Sequence, residues 1–62
     1  MDHAMQLHRL LNVHEVADVM RVSHYTVRAW IRSGRLKATK LGRLVRIEPS
    51  EVQRLIASGR SI

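Results

Sequence analysis

The stretch Ser23-His24-Tyr25-Thr26-Val27-Arg28-Ala29-Trp30-Ile31-Arg32-Ser33-Gly34 constrains this chain most, because both of its ends are marked. Ser23 is an N-cap residue, whose hydroxyl accepts a hydrogen bond from a free N–H of a helix's first turn. Gly34 takes the left-handed conformation that closes a helix C-terminus. Placed at 100° per residue, Val27, Trp30, Ile31 and Gly34 fall on one side. Tyr25, Ala29 and Arg32 fall opposite, with Arg28 beside them. The sequence therefore predicts one short helix with a core face and a cationic outer face that carries no acid.

The segments around it read in order. Asn12-Val13-His14-Glu15 has the spacing of a capping box, with Asn12 as N-cap and Glu15 at the third helical position. That helix is predicted to run to about Met20, burying Val13, Val16, Ala17 and Met20 and turning His14, Glu15 and Asp18 outward. Arg21-Val22-Ser23 then makes a tight turn, and two helices joined so closely form a helix-turn-helix. After Gly34 the apolar period changes. Leu36–Leu41 and Leu44–Ile47 flank Gly42-Arg43, and Gly at the first central position suits a type II′ hairpin. A two-residue loop pairs Leu41 with Leu44, Lys40 with Val45, Thr39 with Arg46 and Ala38 with Ile47. Leu36, Ala38, Val45 and Ile47 then share a buried face. Glu48-Pro49-Ser50-Glu51 opens the last helix, with Pro at its first position and acids near its positive end. Val52, Leu55 and Ile56 form its apolar face, and Gly59 is its stop.

The order helix, helix, hairpin, helix gives a mainly α fold with a small β-hairpin. Residues 11–58 form the domain, 1–10 an N-terminal tail whose last leucine, Leu10, packs with Leu11 on the domain edge, and 59–62 a C-terminal tail. Sixty-two residues make one small domain. With no Phe, one Tyr and one Trp, its core must be aliphatic, and Trp30 is expected to supply the largest single burial.

Charge narrows the function. The formal net charge is +6, and no Asp or Glu occurs from Arg21 through Ile47. Seven cations lie in the middle of that span: Arg28, Arg32, Arg35, Lys37, Lys40, Arg43 and Arg46. A local monopoly of one sign marks a surface for a polyanion, and nucleic acid is the leading candidate. A membrane surface fits less well, since no long amphipathic basic helix or apolar run of membrane length is present. The absence of Cys rules out disulfides and thiolate metal sites and fits a reducing cytoplasm. No basic segment followed by an apolar run opens the chain, so no signal peptide is expected. His3, His8, His14 and His24 give no two ligands at metal spacing on one helical face, so neither a metal nor another cofactor is expected. Without a Cys nucleophile, a glycine-rich phosphate loop or paired acids, catalysis has no footing.

The residues Asn12-Val13-His14-Glu15-Val16-Ala17, Val22-Ser23, Thr26-Val27, Trp30-Ile31, Gly34-Arg35-Leu36, Leu41-Gly42-Arg43 and Arg46-Ile47 together resemble the excisionase-type, MerR-like winged helix. The resemblance covers about residues 10 to 57. It implies a winged helix-turn-helix whose second helix enters a major groove and whose hairpin wing reaches the neighbouring minor groove or backbone. It further implies a small phage or mobile-element protein in a bacterial cytoplasm. Such a protein bends DNA, binds side by side with further copies of itself and directs an integrase towards excision. A MerR-like transcription regulator and the DNA-binding head of a larger recombinase are the alternatives within the same fold, and a protein-interaction module that ignores DNA is the alternative outside it. Two positions depart from the family's habit. Arg21 stands where Gly is common in the inter-helix turn, at a cost on the order of 1 kcal/mol if the site is left-handed. Ala29 stands where Arg often precedes the Trp.

On this reading the helix residues offered to DNA are Ser23, His24, Tyr25, Thr26, Arg28 and Arg32. Arg32 is suited to a guanine or a phosphate, and Tyr25 either to the groove or to packing on the helix. Arg28 takes a phosphate in place of the missing arginine at position 29. Ser23 and Thr26 are phosphate donors, with Ser23 first of all a cap, and His24 lies beside the backbone. On the wing, Arg43 at the tip reaches the minor groove or an adjacent phosphate. Lys37, Lys40 and Arg46 add phosphate contacts or non-specific charge.

Overall fold

Asn12 opens the first helix through the reciprocal bonds its spacing to Glu15 predicts. In the computed structural model, which describes residues 9–59, the Asn12 side chain accepts the Glu15 N–H at 2.7 Å. The Glu15 carboxylate accepts the Asn12 N–H at 2.8 Å. The lead-in through residue 8, with His3 and His8, and residues 60–62 lie outside the described residues.

Helix α1 spans Val13–Met20 and buries Val13, Val16 and Ala17. Arg21 closes it with φ 58° and ψ 45°, so the inter-helix turn does use the left-handed region. This orients the Val22 N–H back onto the Ala17 carbonyl at 3.0 Å. Helix α2 spans His24–Ser33. Ser23 caps it, its hydroxyl accepting the Thr26 N–H at 3.1 Å, and Gly34 ends it at φ 85°. Strand β1 is Thr39–Leu41 and strand β2 is Leu44–Arg46, paired antiparallel in the predicted register. Gly42 has φ +66° and Arg43 is not in the positive-φ region, as a type II′ turn requires. Helix α3 spans Pro49–Gly59.

Two backbone details differ from the sequence reading. Leu36 does not begin the first strand. It is fully buried, and its N–H goes to the Trp30 carbonyl at 3.2 Å, so it belongs to the closure of α2. Ile47 pairs with Leu11 rather than extending the ladder to Ala38. The two-residue loop makes Leu41–Leu44 and Thr39–Arg46 the hydrogen-bonded pairs, which turns the polar groups of Ile47 away from β1. Leu11 meets them with two bonds of 2.8 Å. The chain just before α1 is thereby tied to the base of the wing.

The core is aliphatic, as the composition requires: Val13, Val16, Ala17, Val27, Leu36, Ile47 and Val52. Trp30 is not at its centre. It is half-buried and packs on the cluster from the rim, where it shares a shallow surface depression with Met20 and Leu55. The places that bury most completely go to Leu36, Ile47, Val16 and Val27, since three short helices leave room inside for branched aliphatics but not for an indole. The apolar face of α3 is also narrower than its spacing implies. Val52 is buried and Leu55 half-buried, but Ile56 is 39% exposed. No helix among the described residues is long and apolar enough to cross a membrane.

Candidate nucleic-acid interface

The phase of α2 decides which side chains leave the protein surface. Val27 is buried and Trp30 and Ile31 are half-buried, so Tyr25, Arg28, Ala29 and Arg32 must point outward. They do: all four are exposed, Tyr25 to 72%. The hairpin stands beside this face. Arg28 from α2 and Arg43, Leu44, Val45 and Arg46 from the wing line one cleft, floored by Asn12, Val13 and His14 at the start of α1. A neighbouring concavity joins Arg28 and Arg32 to Ile31 and Val45. Among the described residues, no carboxylate lines either one. Helix and wing therefore present one continuous cationic concave surface.

Each predicted residue has a definite place. Ser23 and Thr26 spend part of their capacity on each other, with their hydroxyls 3.1 Å apart. The His24 ring is half-buried between two others, 4.6 Å from the His14 ring centroid and 4.1 Å from that of Tyr25. Arg43 is exposed at the tip of the wing. Arg46 is half-buried, and its guanidinium donates to the Val45 carbonyl at 2.9 Å, which fixes it along the strand. Lys40 is exposed on β1. Lys37 is also exposed but stands apart from the cleft, at the wing's root beside Glu48 and Glu51.

His14 is the residue that sequence reasoning missed. Its outward position on α1 was legible, but nothing in the spacing shows that the turn at Arg21 brings it against His24. Glu51 and Arg54 act from behind. Glu51 accepts the Lys37 N–H at 3.0 Å, and Arg54 donates to the Arg35 carbonyl at 2.8 Å. The Arg54 guanidinium and the Lys37 N–H hold the Glu51 carboxyl below its ordinary range, and the Glu51 hydrogen bond raises Arg54 in turn. This pair anchors the segment that carries the chain from α2 into the wing.

Such an arrangement is a winged helix-turn-helix domain. Comparison with known proteins agrees: a family model for the helix-turn-helix domain matches residues 10–60. Over 46 residues the chain is 46% identical to the excisionase of Mycobacterium phage D29, a match that covers 73% of this chain and 82% of that protein. The chain belongs to the excisionase family.

Proposed function

We propose that this chain is a sequence-specific architectural DNA-binding protein of the excisionase type. Helix α2 enters a major groove, with Tyr25, Arg28 and Arg32 towards bases and phosphates and Ser23, His24 and Thr26 near the backbone. The wing reaches the adjacent minor groove or backbone through Arg43 and Arg46, and Lys37 and Lys40 add longer-range attraction. Bound in this way the protein bends the duplex, lies side by side with further copies of itself and directs an integrase towards excision. It does so in the cytoplasm of a bacterial host and performs no catalysis itself.

The observation that carries this reading is the concave surface, lined by no acid among the described residues, on which Arg28 and Arg32 of one element meet Arg43 and Arg46 of another. Two elements of one sign converging on a hollow fit a polyanion with a regular curved surface. Membership of the excisionase family supports DNA as that polyanion. The test is a binding titration on a duplex at several salt concentrations. With about 4–6 phosphates neutralised, log K falls against log salt with a slope of roughly −4 to −5. A slope near zero, or no binding at low salt, overturns the reading. Excision in a reconstituted reaction with and without the protein, and the bend measured on a circularly permuted fragment, test the recombination and bending parts.

A further inference from the structure

The wing tip carries two leucines that the fold does not use. Leu41 and Leu44 are directly paired across the hairpin and are 48% and 52% exposed. Neither is among the half-buried side chains packed on the core, whereas Val45, the next residue along, is. Single exposed apolar side chains are ordinary on a protein surface. A cross-strand pair at the end of a projecting hairpin is a local apolar patch, and the edges of small sheets are more often protected by charge.

Its surroundings are cationic and continuous with the interface. Arg43 sits between the two leucines in the turn, Lys40 and Arg46 lie nearby on the two strands, and Leu44 itself lines the cleft with Arg28 and Arg43. An apolar pair framed by cations fits a partner that is anionic at its rim and apolar on its walls. The minor groove of a duplex has this character, with phosphates along its edges and deoxyribose faces inside. Leucine is also among the side chains that minor-groove proteins use as wedges.

We propose that the wing tip is an apolar wedge, with Leu41 and Leu44 packing against the deoxyribose walls of the minor groove on either side of Arg43. The inference rests on the DNA-binding reading above and adds a non-ionic part to it. The contact removes the exposed half of each leucine from water and leaves the count of neutralised phosphates unchanged.

The test uses the full chain with Leu41→Thr, Leu44→Thr, the pair together, and Leu44→Met, on a duplex with a single site and on one with tandem sites. Threonine suits a strand, and both positions are half exposed, so the fold is retained. Each threonine is expected to weaken binding about 5-fold and the pair about 25-fold, on the area each leucine loses to water. The salt slope stays that of the parent, and Leu44→Met binds as the parent does. Parent-like affinity in the double variant overturns the wedge. A changed salt slope overturns it too, by showing that the leucines act by placing Arg43. A loss seen only on tandem sites assigns the pair to a contact between copies instead, and a double variant that unfolds assigns it to stability. A parent that binds no duplex overturns the DNA reading itself, a distinct result.

Discussion

The Glu51 carboxylate accepts the backbone N–H of Lys37 at 3.0 Å, joining the first turns of α3 to the root of the wing. Arg54 completes the bracket, bonding Glu51 at 3.0 Å and the Arg35 carbonyl at 2.8 Å. The direction in which the wing leaves α2 is therefore set by side chains of a helix that lines neither of the two cationic concavities. Glu51→Ala is expected to preserve the helices, speed hydrogen exchange at the Lys37 amide, and weaken DNA binding several-fold through a loosely aimed wing. Unchanged exchange at Lys37 would show that Leu36 alone fixes the segment.

The same bracket gives a pH dependence with a defined sign. Hydrogen bonds from Arg54 and Lys37 lower the folded-state pKa of Glu51 from its ordinary value of 4.5. A carboxylate with a depressed folded pKa stabilises the fold above its unfolded pKa, and that contribution is lost as pH falls through the folded value. Melting midpoints of the parent and Glu51→Gln should therefore differ near neutrality and converge only as pH falls through the depressed folded value, where the carboxyl takes up its proton. A gap that widens in acid would mean the carboxylate is not held in its charged form.

Burial reverses the order of importance that residue size suggests in the core. Leu36 has no exposed surface, and Leu36→Ala should cost about 3–4 kcal/mol, transfer and cavity together. Trp30 is half-buried at the rim, so Trp30→Ala should cost about 2 kcal/mol, below the range for a fully enclosed aromatic. Urea titration of both variants checks the order. A tryptophan variant less stable than the leucine variant would place the indole nearer the centre.

Arg21 holds the turn between the two helices in a conformation that suits Gly. At φ 58° its Cβ crowds the following carbonyl, and its exposed side chain makes no hydrogen bond or ion pair among the described residues to offset the strain. Arg21→Gly should raise stability by about 0.5–1 kcal/mol, net of the extra freedom Gly gains in the unfolded chain. Thermal or chemical unfolding reads this directly, and a destabilised variant would show that the arginine stem contributes packing.

The local signals of this chain were strong, and the long-range ones were not. Asn12 with Glu15, Ser23 with Gly34, and Gly42-Arg43 each fixed an element within four to twelve residues, and α1, α2 and the hairpin register follow from them. The Leu11–Ile47 bridge and the Glu51–Lys37 bond join residues far apart in sequence, and no periodicity announces such pairings. The outer face of α2 was legible because helical phase is arithmetic. The cleft shared by Arg28 and Arg43 was not, because it depends on how the hairpin leans against the helix.

That lean bears on how the two arginine sets divide the work. Arg32 lies on the exposed face of α2, clear of Val27 and the core, so its truncation should spare the fold. If it pairs with a guanine, Arg32→Ala should cost about 1–3 kcal/mol on the specific site and relax the preference at that position. Arg43 stands on the wing beyond the hydrogen-bonded Leu41–Leu44 pair, in a turn whose backbone Gly42 sets. In the proposed DNA-binding mode a guanidinium there meets phosphates or a minor groove, which carry little sequence information. Arg43→Ala should therefore weaken binding on every duplex, reduce the salt slope by about one, and leave the preference read by α2 in place. Because Arg28 lines the same cleft as Arg43, the Arg28→Ala and Arg43→Ala losses should fall short of additivity if both reach one phosphate. The measurement is a titration of all three single variants and the Arg28/Arg43 double variant on specific and scrambled duplexes at two salt concentrations. An Arg43→Ala protein that binds both duplexes as the parent does would take the wing out of the interface and leave a plain helix-turn-helix.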